Sequence, residues 1–409
     1  MDEPNKSFFQ VIKKTVPLRV LLAVLLFFVS WAFYIFYDAK PPKTQEELRQ
    51  EALAQIESIS KDAPLELIIM PDDGIEKIED IIKSANESLD LVVYQLRDAN
   101  IAKLLVDAHQ RGVNVRVILE QLNFIGENLN QETYDFLQSS GVKVKWSAEH
   151  FALTHQKTII VDGKLAVIMT FNLTDKYYVT SRDFGIINTD PEDVKIISDV
   201  FNTDWEYKEI VAESGKDLVW SPDSSEAIFT FIDSAKASLD VYCQEMADER
   251  ITKALIGAVK RGVVVRVNMT YQTSWKPDLS KLVDAGAQVK TYSSSATIYI
   301  HAKVIIADSN KALVSSQNFS FQSLELNREL GIFIAREDII KSLKDTFEKD
   351  WEGSRIFESA NAKKDGPVKL SSSGICHTPE SPFYSQTKNF TAFANVEDCI
   401  KAGGRLLEK

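Results

Sequence analysis

The chain has 409 residues, 44% of them hydrophobic and 26% charged, which excludes an intrinsically disordered protein and gives length for two domains with separate cores. A formal net charge of -12 and a pI near 5.1 exclude nucleic-acid binding through a bulk positive field and leave only a local basic groove for a polyanion.

From Val20 to Tyr37 the run VLLAVLLFFVSWAFYIFY carries no charge. At about 1.5 Å per residue it just spans a hydrocarbon core of roughly 30 Å. Lys6, Lys13, Lys14 and Arg19 precede it, which keeps the amino end in the cytoplasm and exports the rest; Lys40, Lys43 and Arg49 follow and weaken the bias. Residues 1–43 are read as a cytoplasmic tail and uncleaved transmembrane helix, a signal-anchor. A signal peptide cleaved near Ser30-Trp31-Ala32 is the competing reading. Either way the remainder lies on the periplasmic or extracellular side of a bacterial cell. Residues 44–63 are charged and read as a helical stalk holding the next unit off the membrane.

Strand and helix signals then alternate. LELIIM and DLVVYQL have the apolar density of buried strands, GIEKIEDIIKSA and IAKLLVDAHQRG have helical spacing with Gly112 closing the second, and VNVRVIL returns to strand. Such alternation argues for an α/β sheet flanked by helices. The pattern recurs. ANESLDLVVYQL from Ala85 aligns with AKASLDVYCQEM from Ala235, AHQRGVNVRVIL from Ala108 aligns with AVKRGVVVRVNM from Ala258, and Phe-x-x-Asp-Trp ends each half at Trp205 and Trp351. Residues 64–212 and 213–365 are therefore two copies of one unit. A Ser- and Pro-rich change of composition marks a small C-terminal module at 366–409.

Two of the five histidines sit in matching octapeptides, HQKTIIVD at His155 and HAKVIIAD at His301. In a strand, His155 and Lys157 share a face, as do His301 and Lys303. Asp162-Gly163 signals a tight turn whose returning strand brings Thr170 and Asn172 beside His155, and the second half does the same with Ser316 and Asn318. From histidine to asparagine is 17 residues in both halves, and 28 to a carboxylate, Asp183 or Glu329. Asp162 and Asp308 are read as structural, holding the hairpin by local hydrogen bonds.

His-x-Lys-x4-Asp followed by hydroxyl-x-Asn, present twice, resembles the phospholipase D superfamily over about Pro64 to Trp351. The resemblance implies two tandem repeats packed with pseudo-twofold symmetry around one site that serves both histidines, which makes a monomer sufficient. It further implies that one histidine attacks phosphorus while the other protonates the leaving alcohol, and it assigns the attack to His155 and the acid to His301. Chemically, an anionic phosphodiester needs a neutral nucleophile, a proton donor and donors for the developing charge. Asp183 and Glu329 would orient the imidazoles; Lys157, Lys303, Asn172 and Asn318 would clamp the non-bridging oxygens. No cofactor or metal is required, so activity in EDTA is expected. The family's Gly-Ser is Met169-Thr170 and Ser315-Ser316 here, and Met169 in place of Gly would crowd the phosphate.

Elsewhere, Cys243 reads as a small core residue, while Cys376 and Cys399 are free to pair in an exported compartment, a metal site with His377 being the alternative. His109 and His377 are read as surface residues. Trp205 and Trp351 pack each unit's last helix, and YQTSWKPD at Tyr271 is a substrate-facing or a structural loop. For substrate, the anchor and acidic charge favour membrane phospholipid, hydrolysed or transferred as by the similar cardiolipin synthases. A nuclease is the second reading, from a C-terminal module that resembles those on some bacterial nucleases. An inactive anchored binding module is the third.

Overall fold

The computed structural model describes residues 43–406 apart from 209–211, 213–214, 360–365, 380, 382 and 385. The apolar run at 20–37, with its anchor and signal-peptide readings, lies outside the described residues. Among those described, no helix is long and apolar enough to cross a membrane.

The first repeat contributes β1 (Leu65–Met70), β2 (Ser88–Val93), β3 (Asn114–Leu119), β4 (Lys143–Trp146), β5 (Lys157–Val161), β6 (Leu165–Met169) and β7 (Ser181–Asn188), in the spatial order β1-β7-β6-β5-β2-β3-β4. The second contributes β8 (Leu218–Ser221), β9 (Ser238–Tyr242), β10 (Val264–Thr270), β11 (Gln288–Tyr292), β12 (Tyr299–Ile300), β13 (Val304–Ala307), β14 (Lys311–Ser315), β15 (Glu329–Ile334) and β16 (Arg355–Ile356). Its order, β8-β15-β14-β13-β9-β10-β11-β16, repeats the first strand for strand with β16 added at the edge. The β2-β3-β4 and β9-β10-β11 pairs are parallel, as is the β12-β7 pair, and the others antiparallel, so both sheets are mixed.

The strands read as nearly unbroken apolar runs because each sheet is covered on both faces. In β2, Leu89, Leu91 and Val93 face the core under the helices Glu76–Ser84 and Ala99–Gln110. Val92 faces instead a core shared by both sheets, where Ile168 and Phe184 meet Val304, Val314 and Ile332. The helices Pro191–Trp205 and Glu337–Gly353 close that shared core through Phe201 and Phe347. Trp205 and Trp351 stack on these phenylalanines, and Arg116 and Arg266 lie over each pair while bonding Asp90 and Asp240.

Two expectations are corrected. The helix Gln45–Ser58 forms where a helical stalk was read, but its end is docked rather than free. Ile56 and Ile59 join the second repeat's core, the Gln55 amide donates to Leu218 O, and Lys311 donates to Ile56 O, because the helix end carries apolar side chains that need a partner surface. Asp162 and Asp308 act across the sheet rather than within their turns. Asp162 accepts from the backbone N–H of Asn86, Glu87 and Ser88, and Asp308 from Lys236, Ala237 and Ser238. Each motif aspartate thus pins its hairpin to the start of the neighbouring strand, satisfying donors that no strand reaches.

The C-terminal module is a three-stranded sheet, β18-β17-β19 with β17 (Val368–Ser371), β18 (Cys376–His377) and β19 (Phe390–Phe393), closed by the Cys376–Cys399 disulfide. The pairing removes the thiolate a metal site with His377 would need. His377 is buried rather than superficial, with Nδ1 against Ser381 Oγ at 3.1 Å.

Candidate functional site

The two repeats exchange backbone before each HxK strand begins. Residues 154–156 run beside β15 of the other repeat, where the N–H groups of His155 and Gln156 both donate to Arg328 O. Reciprocally, β12 pairs with β7, and the N–H groups of His301 and Ala302 donate to Arg182 O. Both HxK histidines therefore lie just ahead of the strands expected to hold them: β5 starts at Lys157 and β13 at Val304.

The exchange sets which carboxylate serves which imidazole. His155 Nδ1 lies 2.8 Å from Glu329 Oε2, and His301 Nδ1 lies 2.8 Å from Asp183 Oδ1. Each histidine is thus oriented by the opposite repeat, and neither half alone contains a complete pair. Glu329 is held in turn by Ser323 Oγ and, at 3.0 Å, by Asn327 Nδ2. Asp183 accepts from Thr170 Oγ1 at 2.5 Å. An Nδ1–H donated to a carboxylate leaves Nε2 as the atom that can take or give a proton.

Burial dominates the electrostatics. It pushes His155 down to about 4 against the pull of Glu329, and lowers His301 against that of Asp183; a neutral ring suits attack, whereas a ring that gives a proton must first take one up. Burial also takes Lys157 well below the ordinary lysine range and Lys303 down to about 8. It opposes ionisation of Glu329, but His155 and Lys157 hold that carboxyl below its usual value.

The lysines sit behind the histidines. Lys157 Nζ donates to His155 O, and Lys303 Nζ donates to His301 O and to Gln244 Oε1 at 2.7 Å. Both are buried and neither lines the cleft, so where a direct clamp on the phosphoryl oxygens was expected the structure places their ammonium groups behind the histidines. Lys303 Nζ also lies 3.3 Å from His301 Nε2.

Both histidines line a cleft of about 740 Å3 with Asn172, Asn318 and Asp183. Asn172 Oδ1 accepts from Gln95 N at 3.2 Å, and Asn318 Oδ1 is buried with no partner among the described residues. Ser316 lies behind, accepting from Leu330 N. The first repeat gives the cleft Met70, Tyr94, Phe124, Leu153, Phe171 and Tyr177, an aromatic and apolar wall. Among the described residues, no lysine or arginine lines it.

Met169 does not crowd this space: it is fully buried in the first repeat's core, because its strand position turns it from the cleft. His150 is exposed and outside the cleft, and Tyr271–Asp278 is structural, with Trp275 packed on the second core.

Sequence reasoning missed Tyr94, whose ring meets His155 edge-on at 4.7 Å and lies 5.3 Å from Lys157 Nζ. It also missed Arg182 and Arg328. Both are buried, and each reaches into the other repeat: Arg182 to Asp350 at 2.7 Å, Arg328 to Asp204 at 3.0 Å. The signal was present, since both arginines precede the matched carboxylates and both aspartates belong to Phe-x-x-Asp-Trp.

The profile of the family described as cardiolipin synthase, PLD-like domain, matches residues 78–205 and 228–351, once per repeat. A cardiolipin synthase of Clostridium perfringens is 26% identical over 330 residues, covering 67% of each chain, and one of Listeria monocytogenes is 25% identical over 350 residues, covering 71% of this chain and 70% of its own. Among solved structures, the phosphatidylserine synthase of Haemophilus influenzae superposes with a TM-score of 0.59 at 12% identity, covering 76% of this chain and 94% of its own. The polyphosphate kinase of Porphyromonas gingivalis gives 0.57 at 13% identity, covering 76% and 49%. These two likenesses are of fold.

Proposed function

The chain belongs to the cardiolipin-synthase-type, phospholipase D-like family and is a phospholipase D-type enzyme, and from that premise we propose that it cleaves or transfers phospholipid head groups through a phosphohistidine. The observation that carries the lipid reading is the cleft itself: two carboxylate-backed histidines, an aromatic wall, and no lysine or arginine along it. A polyanionic nucleic acid needs cationic contacts along its backbone; a single phosphodiester with acyl chains needs an apolar wall. The names of the relatives, cardiolipin synthase and phosphatidylserine synthase, point the same way.

In the first step neutral His155 attacks phosphorus through Nε2, the bond to the head-group oxygen breaks, and His301, entering as the imidazolium with Nδ1–H on Asp183, gives that oxygen the proton on its Nε2. In the second, His301 takes the proton of water or an acceptor alcohol, whose oxygen displaces His155. The apolar wall favours this assignment, since it places the diacylglycerol on the first repeat and the leaving head group toward the second. Glu329 and Asp183 stabilise the rings as they charge, and the two lysines offset charge on the phosphoryl oxygens from behind. All groups come from the protein, so turnover persists in EDTA. One chain holds both motifs and acts as a monomer, with the run at 20–37 keeping it at the membrane and its catalytic repeats outside the cytoplasm.

The test is the full chain in detergent with mixed phospholipid and EDTA, and separately with single-stranded DNA and RNA. Release of phosphatidic acid or a transferred head group supports the proposal. Turnover of nucleic acid alone overturns it.

A pH profile follows. His155 must be neutral, so activity is present above its pKa of about 4; His301 must carry the proton it gives, and burial lowers its pKa, so activity is lost as pH rises through a value below the ordinary histidine range. The expected kcat/KM plateau lies between. Lys303→Gln removes a charge that lowers His301, so it should move the alkaline limb to higher pH while lowering the plateau, as rate measurements on a soluble phosphodiester will record.

The cleft mouth carries a second lipid feature. Asn123 Oδ1 caps a tight loop by accepting from Ile125 N and Glu127 N, which turns Leu122, Phe124 and Ile125 outward. Phe124 is 78% and Ile125 62% exposed, while Phe124 N donates to Tyr94 OH beside His155. Exposed apolar side chains at a site entrance mark a lipid surface. Replacing both Leu122 and Ile125 by Ser should weaken vesicle binding about tenfold or more, at roughly 1 kcal/mol for each partly buried side chain, and leave turnover of a soluble short-chain substrate intact.

A further inference from the structure

The two walls of the cleft differ although the repeats that build them match. β2 leads into Tyr94-Gln95 and β9 into Gln244-Glu245 at the aligned positions. Opposite the first repeat's aromatic wall, the second supplies Gln244, Glu245, Ser294, Tyr299, Ser320 and Gln322. Gln244 is fixed by Lys303 Nζ at 2.7 Å, and Tyr299 lies beside it with its OH accepting from Gln272 Nε2 at 3.4 Å.

Glu245 is unusual in this wall. Asp183, which also lines the cleft, is bonded to a histidine, whereas the polar side chain beside Glu245 is the Ser320 hydroxyl. A carboxylate near the reacting phosphate repels the substrate's own charge, and the aligned Gln95 shows that the fold accepts an amide there. The repulsion is offset when the carboxylate receives donors from the bound molecule, and it grows when that molecule brings a second negative charge.

We infer that Glu245 is a specificity-determining residue of the second repeat's wall, selecting a head group that carries hydrogen-bond donors and no negative charge of its own. The inference rests on the phospholipid reading above. The donors belong to hydroxyls or to an ammonium; the shared chemistry is donation to one carboxylate among amides and hydroxyls, with the Lys303 charge behind it. Gln244, Tyr299 and Ser320 give and take the remaining hydrogen bonds of such a group, and the phosphorus stays with the histidines.

The full chain is assayed in neutral-detergent micelles containing, at equal mole fraction, phosphatidylglycerol, phosphatidylethanolamine or phosphatidylserine. The natural chain should prefer one or both of the first two over the serine lipid in kcat/KM. Glu245→Gln should reduce that preference tenfold or more, through KM more than through kcat. A loss falling mostly on phosphatidylglycerol identifies hydroxyls as the donors, and one falling mostly on phosphatidylethanolamine identifies the ammonium. Glu245→Ala serves the same purpose if the amide variant does not fold. An unchanged preference in a folded variant overturns the inference and leaves the lipid reading standing; a natural chain that turns over none of the three overturns both.

Discussion

Replacing His301 by Ala is expected to slow phospholipid turnover by about 10²- to 10⁴-fold, the range for losing a general acid, yet to spare the first step on a phosphodiester whose nitrophenol leaving group needs no proton. His155→Ala should lose both, because no nucleophile remains. The difference follows from geometry. Each ring has its Nδ1 on a carboxylate of the other repeat, so neither variant disturbs the partner's orientation, and the histidines separate by role rather than by fold. Burst and steady-state rates on phospholipid and nitrophenyl substrates check this. Equal losses for both variants on both substrates would mean that the roles are not divided as assigned.

The second large effect concerns how the repeats are joined. Arg328 is buried with Asp204 as its carboxylate and the rings of Phe151 and Trp220 over its guanidinium, and its Nε has no partner among the described residues. Asp204→Ala leaves that charge uncompensated and should cost about 3–5 kcal/mol. Asp350→Ala should cost less, since Arg182 keeps Asp72 and Met70 O. Urea unfolding of the two variants measures the order. Because Arg328 O also receives the His155 N–H, Asp204→Ala should lower turnover even below the unfolding transition, which a surface-exposed pair of the same charge would not do.

Much of this was legible in the sequence because duplication acts as an internal control. The duplication, the strands LELIIM and VNVRVIL and the role of Gly112 as a helix stop follow from pattern. The histidines, asparagines and carboxylates stood out through equal spacing alone. What spacing could not reveal was which copy a side chain faces. Asp183 lies in the same half as His155, so linear order suggests that pairing; only the crossing of 154–156 and of β12 into the opposite sheets exchanges the carboxylates. The same blindness hid Arg182–Asp350 and Arg328–Asp204, long-range contacts between copies. Met169 looked obstructive by comparison with a smaller residue, but strand alternation turns it into the core. The docked helix Gln45–Ser58 read as a stalk because its apolar residues are too sparse to announce a face. Glu245 was passed over because it breaks the repeat, and matching favours what the copies share.

The most direct measurement is to trap the covalent intermediate. His301→Ala should form it slowly and, lacking the base for the second step, accumulate it. The chain is incubated with phospholipid, quenched at alkaline pH, digested and analysed by mass spectrometry. A phosphatidyl group on the peptide carrying His155, absent from His155→Ala, is the predicted result. A group on the His301 peptide of the natural chain, or labelling that survives in His155→Ala, would contradict the account.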